Sequence, residues 1–174
     1  MDNLPELMES HDEPSFEKAN RYILMPVDGS ENSERAFNWY AENLHKSQDG
    51  LYLVHIVEPI TSAPAYSFAT NKASNVGDDM NRQIAELVEK GRVLGKKYLD
   101  MCQKAGIATK FTLHVGSKPG ENIIKLVKEL DIQIVVMGSR GLGTIKRTFM
   151  GSVSDHILHH AGIPTIVVPP PRKK

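Results

Sequence analysis

The chain has 174 residues, 40% hydrophobic and 24% charged, which suits one globular domain with a proper core and is short for two. Lys plus Arg equals Asp plus Glu at 21 each, so the zero formal charge removes the broad basic field of a nucleic-acid binder. The single cysteine, Cys102, excludes an internal disulfide framework. The N-terminus is polar and acidic, unlike a signal peptide, and no run approaches the ~18 apolar residues of a membrane span, so a cytoplasmic protein is expected.

Residues 1–20 carry Asp, Glu, Ser and Pro without apolar periodicity and predict a flexible tail. The run Tyr22–Val27 is continuously apolar, as in a buried parallel strand. Ser33 is the expected N-cap of a helix carrying Ala36, Phe37, Tyr40, Ala41 and Leu44. Residues 51–57 read as the second strand, and 58–78 as a long loop with Pro59 and Pro64. A long amphipathic helix is predicted over 79–104, with Gly91 and Gly95 weakening it or permitting close packing and Gly106 ending it.

Ile107–Val115 is a third strand, more polar than the others and so expected nearer a sheet edge. Pro119 opens a helix with Ile123, Ile124, Val127 and Leu130. Ile132–Met137 is the fourth strand, 152–161 the last helix, Thr165–Val168 the fifth strand, and residues 170–174 a stiff tail. Five strands alternating with helices predict a three-layer α/β/α sandwich with a five-stranded parallel sheet of order 3-2-1-4-5. In that order strands 1 and 4 flank the point where the winding reverses, and ligands of such sheets bind at the strands' carboxyl ends there.

Both unusual segments of the chain lead to that point. Strand 1 ends in Pro26-Val27-Asp28-Gly29-Ser30. Strand 4 ends in GSRGLGTIKRTFMGSVS, where Gly138, Gly141 and Gly151 form a G-x2-G-x9-G-S pattern before a helix. Glycines admit close backbone approach, and the unpaired amides of a helix's first turn attract phosphate. The glycines could instead serve turns of positive φ, Ser152 and Ser154 could cap the helix, and Asp28 could satisfy a turn. Arg140, Lys146 and Arg147 could balance phosphate charge or form a solvated face. His55 and His114 read as packed strand residues, His159 and His160 as helix-terminal groups, and Cys102 as a buried thiol. No metal ligands are assigned.

These motifs resemble the universal stress protein family, in its ATP-binding subgroup, over roughly residues 20 to 169. The V-D-G-S end of strand 1, His55-Ile56-Val57 and M-G-S-R-G-x9-G-S-V-S carry the resemblance. It implies an adenine nucleotide alpha hydrolase-like fold, a universal stress protein domain over residues 21–169, and a homodimer that holds ATP. It further implies Asp28 near adenine and ribose with Pro26 and Val27 beside it, and Ile56 at the adenine edge. Met137, Gly138, Arg140 and Gly141 match the loop beside ribose and phosphates; Gly151, Ser152, Val153 and Ser154 match the phosphate-binding helix start. AMP or ADP are alternative ligands, and Mg²⁺ could accompany the phosphates.

The expected function is therefore a nucleotide-dependent regulator in stress response. It would dimerise through strand 5, whose short apolar edge invites pairing, and involve neither nucleic acid nor membrane. A slow ATPase and a nucleotide-free scaffold are the alternatives; neither a G-x-x-x-x-G-K-[ST] loop nor a water-activating residue beside the glycine loop marks an enzyme. A dinucleotide enzyme is excluded because DGSENS lacks its fingerprint after strand 1, and a phospho-receiver because strand 3 ends in His114-Val115-Gly116 without an acceptor Asp.

Overall fold

Apolar runs bounded by turn residues leave the strands no choice but burial on both faces, and helices supply the cover. The computed structural model describes residues 7–58, 73–140 and 150–171. In chain order these form β1 (Leu7–His11), α1 (Glu13–Glu17), β2 (Arg21–Pro26), α2 (Glu31–Asn43), β3 (Asp49–Val57), α3 (Ala73–Ala105), β4 (Thr109–Val115), α4 (Pro119–Glu129), β5 (Ile134–Gly138), α5 (Ser152–His160) and β6 (Thr165–Val168).

The sheet order is β1-β4-β3-β2-β5-β6. Strands β2 to β6 are parallel and reproduce the expected 3-2-1-4-5 order. One core lies under α2 and α3, where Phe37, Tyr40 and Tyr98 meet Ile23, Leu53 and Phe111. The other lies under α4 and α5, where Ile123, Val127 and Ile157 meet Leu24, Val54 and Met137. Neighbouring residues such as Ile23 and Leu24 thus serve opposite cores.

A sixth strand is the main correction. Residues 7–17, expected to belong to a flexible tail, form β1 and α1 instead. β1 pairs antiparallel with β4, Leu7 opposite Leu113 and His11 opposite Thr109. Left alone, β4 would present a row of unpaired amides, so β1 answers the edge's need rather than any pattern of its own. Asp12 then turns the chain at φ 53° and accepts the Ser15 N–H at 3.4 Å. Phe16 is 1% exposed, with Tyr52 edge-on at 4.8 Å and Tyr22 at 5.4 Å. Lys110 stands over its ring at 4.9 Å and pairs with Glu13 and Glu17.

Other boundaries shift for local reasons. β3 starts at Asp49, two residues before the apolar run, because Arg21 of β2 holds that carboxylate through Nε at 2.8 Å and Nη2 at 2.6 Å. The N-cap of α2 is Ser30, not Ser33. Ser30 is extended (φ −81°, ψ 153°) and its Oγ accepts the Ser33 N–H at 3.2 Å, while Ser33 lies inside the first turn. Helix α3 starts at Ala73, so 73–78 are helical rather than loop; residues 59–72 lie outside the described residues. Gly106 ends α3 at φ +65°, as expected of a C′ glycine.

Gly91 and Gly95 let α3 lie directly on β4. A Cβ at Gly91 would stand 2.2 Å from Leu113 Cδ1, and one at Gly95 2.4 Å from the Phe111 ring. Gly95→Ala is therefore expected to lower stability by about 1–3 kcal/mol despite alanine's better helix propensity. Urea unfolding checks this; a stabilised variant would show that α3 does not rest on Phe111. Cys102, on the same helix, is fully buried, and burial pushes its thiol up to about 12, so it is inert.

Candidate functional site

The carboxyl ends of β2, β3 and β5, with the starts of α4 and α5, enclose a cleft of about 940 Å³. It opens where the winding reverses, since β2 pairs with β3 on one side and β5 on the other. Pro26, Val27, Asp28, Ile56, Met137, Gly138, Arg140, Gly151, Ser152, Val153 and Ser154, all expected from sequence, line this one space. Gly141, the remaining expected site residue, lies outside the described residues, as do Lys146 and Arg147.

One end of the cleft is formed by the start of α5. The Gly151 N–H donates to Ser139 O at 2.8 Å, fixing the start of α5 beside the end of β5. Gly151 is the N-cap and brings no side-chain cap, whereas Ser30 caps α2. The first intrahelical bond is Asp155 N–H to Gly151 O at 2.9 Å, so the amides of Ser152, Val153 and Ser154 have no helical acceptor. They carry the positive end of the helix dipole at the cleft. Arg140 lines the same end, its Nε buried and, among the described residues, without a hydrogen-bond partner. Asp155 adds a negative charge there that a bound anion must tolerate.

Gly138 serves close approach rather than a turn. Among the described residues only Gly106 and Gly162 are glycines of positive φ, which corrects the turn reading for Gly138 and Gly151. A Cβ at Gly138 would stand 2.7 Å from the Asn32 carbonyl oxygen, so β5 and the start of α2 meet only because it is glycine. The serines do not cap either. Ser154 is buried and its hydroxyl donates to Gly138 O at 3.0 Å, tying α5 to β5; Ser152 is exposed beside the cleft.

The other end is apolar, lined by Val54, Ile123, Met137 and Ile157. Val54 O accepts from Val27 N–H at 2.8 Å, and Val57 O from Gly116 N–H at 2.9 Å. Alternation along β3 therefore turns the Ile56 N–H and C=O toward the side where β2 has already ended, into the cleft. Asp28 sits at that end of β2, half-buried. Its Oδ1 accepts from the Ser30 N–H at 3.0 Å and the Ser30 hydroxyl at 2.5 Å, so it serves the turn as well as lining the cleft.

Sequence reasoning missed nine of the lining residues, among them Ser33, Val54, His55, Ile123, Asp155 and Ile157. His55 and Ser33 were legible only as a packed strand residue and a cap. The His55 Nδ1–H donates to Val27 O at 2.8 Å, since a carbonyl can only accept. Ser33 Oγ accepts the Asp28 N–H at 3.2 Å and shares a 2.9 Å bond with Tyr98 OH. Burial pushes the Tyr98 phenol up to about 12, against the Ser33 bond, so it stays protonated. On α5, His156 and His160 stand four residues apart with rings stacked at 4.2 Å. Among the described residues no group of three or more His, Cys, Asp or Glu gathers as a metal site.

Comparison with known proteins decides the family. The model of the universal stress protein family matches residues 19–169. The chain belongs to the universal stress protein family. A universal stress protein relative from Staphylococcus haemolyticus is 30% identical over 147 residues, covering 84% of this chain and 82% of that protein. A solved universal stress protein from Arabidopsis thaliana, with AMP bound, superposes at TM-score 0.59 with 21% identity, covering 85% of this chain and 90% of that one. Another, in complex with cAMP, gives 0.55 at 19% identity, covering 85% and 96%. In this universal stress protein β1 and α1 both lie ahead of the matched region. No helix among its described residues is long and apolar enough to cross a membrane.

Proposed function

We propose that this universal stress protein binds ATP in the cleft between the ends of β2 and β5 and acts as a dimeric, nucleotide-dependent regulator of stress response in the cytoplasm. The uncapped start of α5, open on the cleft beside Gly138 and Arg140, carries the reading. Its three first-turn amides and the Arg140 guanidinium would face the phosphates, with Gly141 and Gly151 admitting them closely. The apolar end would take the base, the Ile56 amide and carbonyl meeting the adenine edge and Asp28 the ribose side. The AMP and cAMP held by solved family members support an adenine nucleotide. Mg²⁺, with Asp28 or a phosphate oxygen among its ligands, would screen the phosphates from Asp155.

For the dimer, the support is β6. Thr165, Ile166 and Val167 are only half-buried on a strand with one pairing partner, β5. Native mass measurement of the purified protein is expected to give a dimer carrying adenine nucleotide, with ATP turnover at background. Protein that refuses added ATP would refute the binding reading, and a monomer at micromolar concentration would refute the dimer.

A further inference from the structure

We infer that Tyr98, buried in α3 and outside the cleft, is a positioning residue for nucleotide binding: through Ser33 it holds the peptide that aims Asp28 into the site. The inference rests on the adenine-nucleotide reading above.

The peptide joining Val27 to Asp28 is the point where β2 leaves the sheet, and side chains hold both of its polar atoms. Its carbonyl, on Val27, accepts from His55 Nδ1–H of β3 at 2.8 Å. Its N–H, on Asp28, donates to Ser33 Oγ of α2 at 3.2 Å. A peptide plane turns as one unit, so fixing both ends fixes the N–Cα bond from which the Asp28 side chain departs. Beyond it, Ser30 holds the carboxylate itself.

Ser33 Oγ is in turn bonded to Tyr98 OH at 2.9 Å, whichever hydroxyl supplies the proton. Tyr98 is a rigid post. It is 1% exposed, stands edge-on to Phe37 at 5.7 Å, and sits on the helix that Gly91 and Gly95 seat against β4. The same helix backs the other half of the clamp, since a Cβ at Gly91 would come within 3.1 Å of the His55 ring. Elements α2, α3 and β3 thus converge on one peptide.

A buried tyrosine also needs a partner for its own hydroxyl, and a core role alone would meet that need. The two roles separate by experiment. A core role costs stability and leaves nucleotide affinity alone, or lowers it regardless of Asp28. A positioning role lowers affinity only while the Asp28 carboxylate is present.

Titration calorimetry with ATP on wild type, Tyr98→Phe, Asp28→Ala and the double variant makes the distinction. Tyr98→Phe is expected to weaken binding about fivefold to tenfold, the loss of one well-made hydrogen bond, and less than about twofold when Asp28 is already alanine. Ser33→Ala should show the same loss and add little to Tyr98→Phe. Unchanged affinity in folded Tyr98→Phe overturns the inference, as does an equal loss in both backgrounds. Wild type that does not bind ATP overturns the nucleotide reading itself, and the positioning role with it.

Discussion

Gly151→Ala is expected to lose at least tenfold in ATP affinity while unfolding close to wild type, whereas Gly138→Ala is expected to lose both affinity and about 1–3 kcal/mol of stability. The difference follows from what each glycine meets. Gly151 has φ −80° and ψ 156°, which any residue adopts, so a methyl group there strains no backbone. It would instead stand at the start of α5, where on the proposed reading the phosphates approach the first-turn amides closely. Gly138 is pressed against the Asn32 carbonyl, and a main chain cannot swing aside as a flexible side chain does. A methyl group there must push α2 away from β5 and carry Ser33 with it. Calorimetric ATP titration and urea unfolding of both variants check the pair; Gly151→Ala with wild-type affinity would remove the phosphate reading of α5.

Asp49→Ala is expected to be the most damaging change for stability, about 3 kcal/mol or more, out of the roughly 5–15 kcal/mol that a domain possesses. Asp49 is 2% exposed and takes two bonds from Arg21, one from the Lys46 N–H at 2.8 Å and one from Tyr40 OH at 3.4 Å. Removing it strands the guanidinium, which keeps the Leu44 carbonyl at 3.2 Å, and leaves the buried Tyr40 phenol with His45 Nδ1 at 3.3 Å. The cluster lies at the amino ends of β2 and β3, away from the cleft. What remains folded is therefore expected to bind ATP normally, which separates this effect from those of Gly151.

The same cluster gives a pH dependence. Burial holds the His45 imidazole below its ordinary value, opposed by Asp49, so the folded protein disfavours its protonation. Stability from this source is intact above about 6.5, where the unfolded histidine titrates, and falls as the pH drops through the folded value. His45→Gln is expected to flatten that decline in unfolding midpoints measured between about pH 7 and 5.

The parallel sheet and its order were legible because burial on both faces leaves a mark that needs no context: apolar runs such as Tyr22–Val27 and residues 51–57, the second broken only by His55. That Gly138 and Gly151 would meet at one cleft was legible too, since glycines between a strand and a helix have few other uses. β1 was not. Its five residues alternate once, and only the open edge of β4 gives them a reason to be extended; Phe16, an isolated aromatic in an acidic stretch, was the available hint. The N-cap of α2 was misplaced because two serines and three acids crowd residues 28–34, and only the bond from the Ser33 N–H to Ser30 Oγ selects among them. Ser33, His55 and Tyr98 are far apart in sequence, and nothing short of the folded chain brings them to one peptide.

A crystal structure of the protein grown with ATP and Mg²⁺ tests the central claim most directly. Adenine is expected against Ile56 and Val54, with the phosphates on the amides of Ser152 to Ser154 and beside Arg140. A cleft left empty at saturating ATP, or a nucleotide bound elsewhere on the molecule, would contradict it.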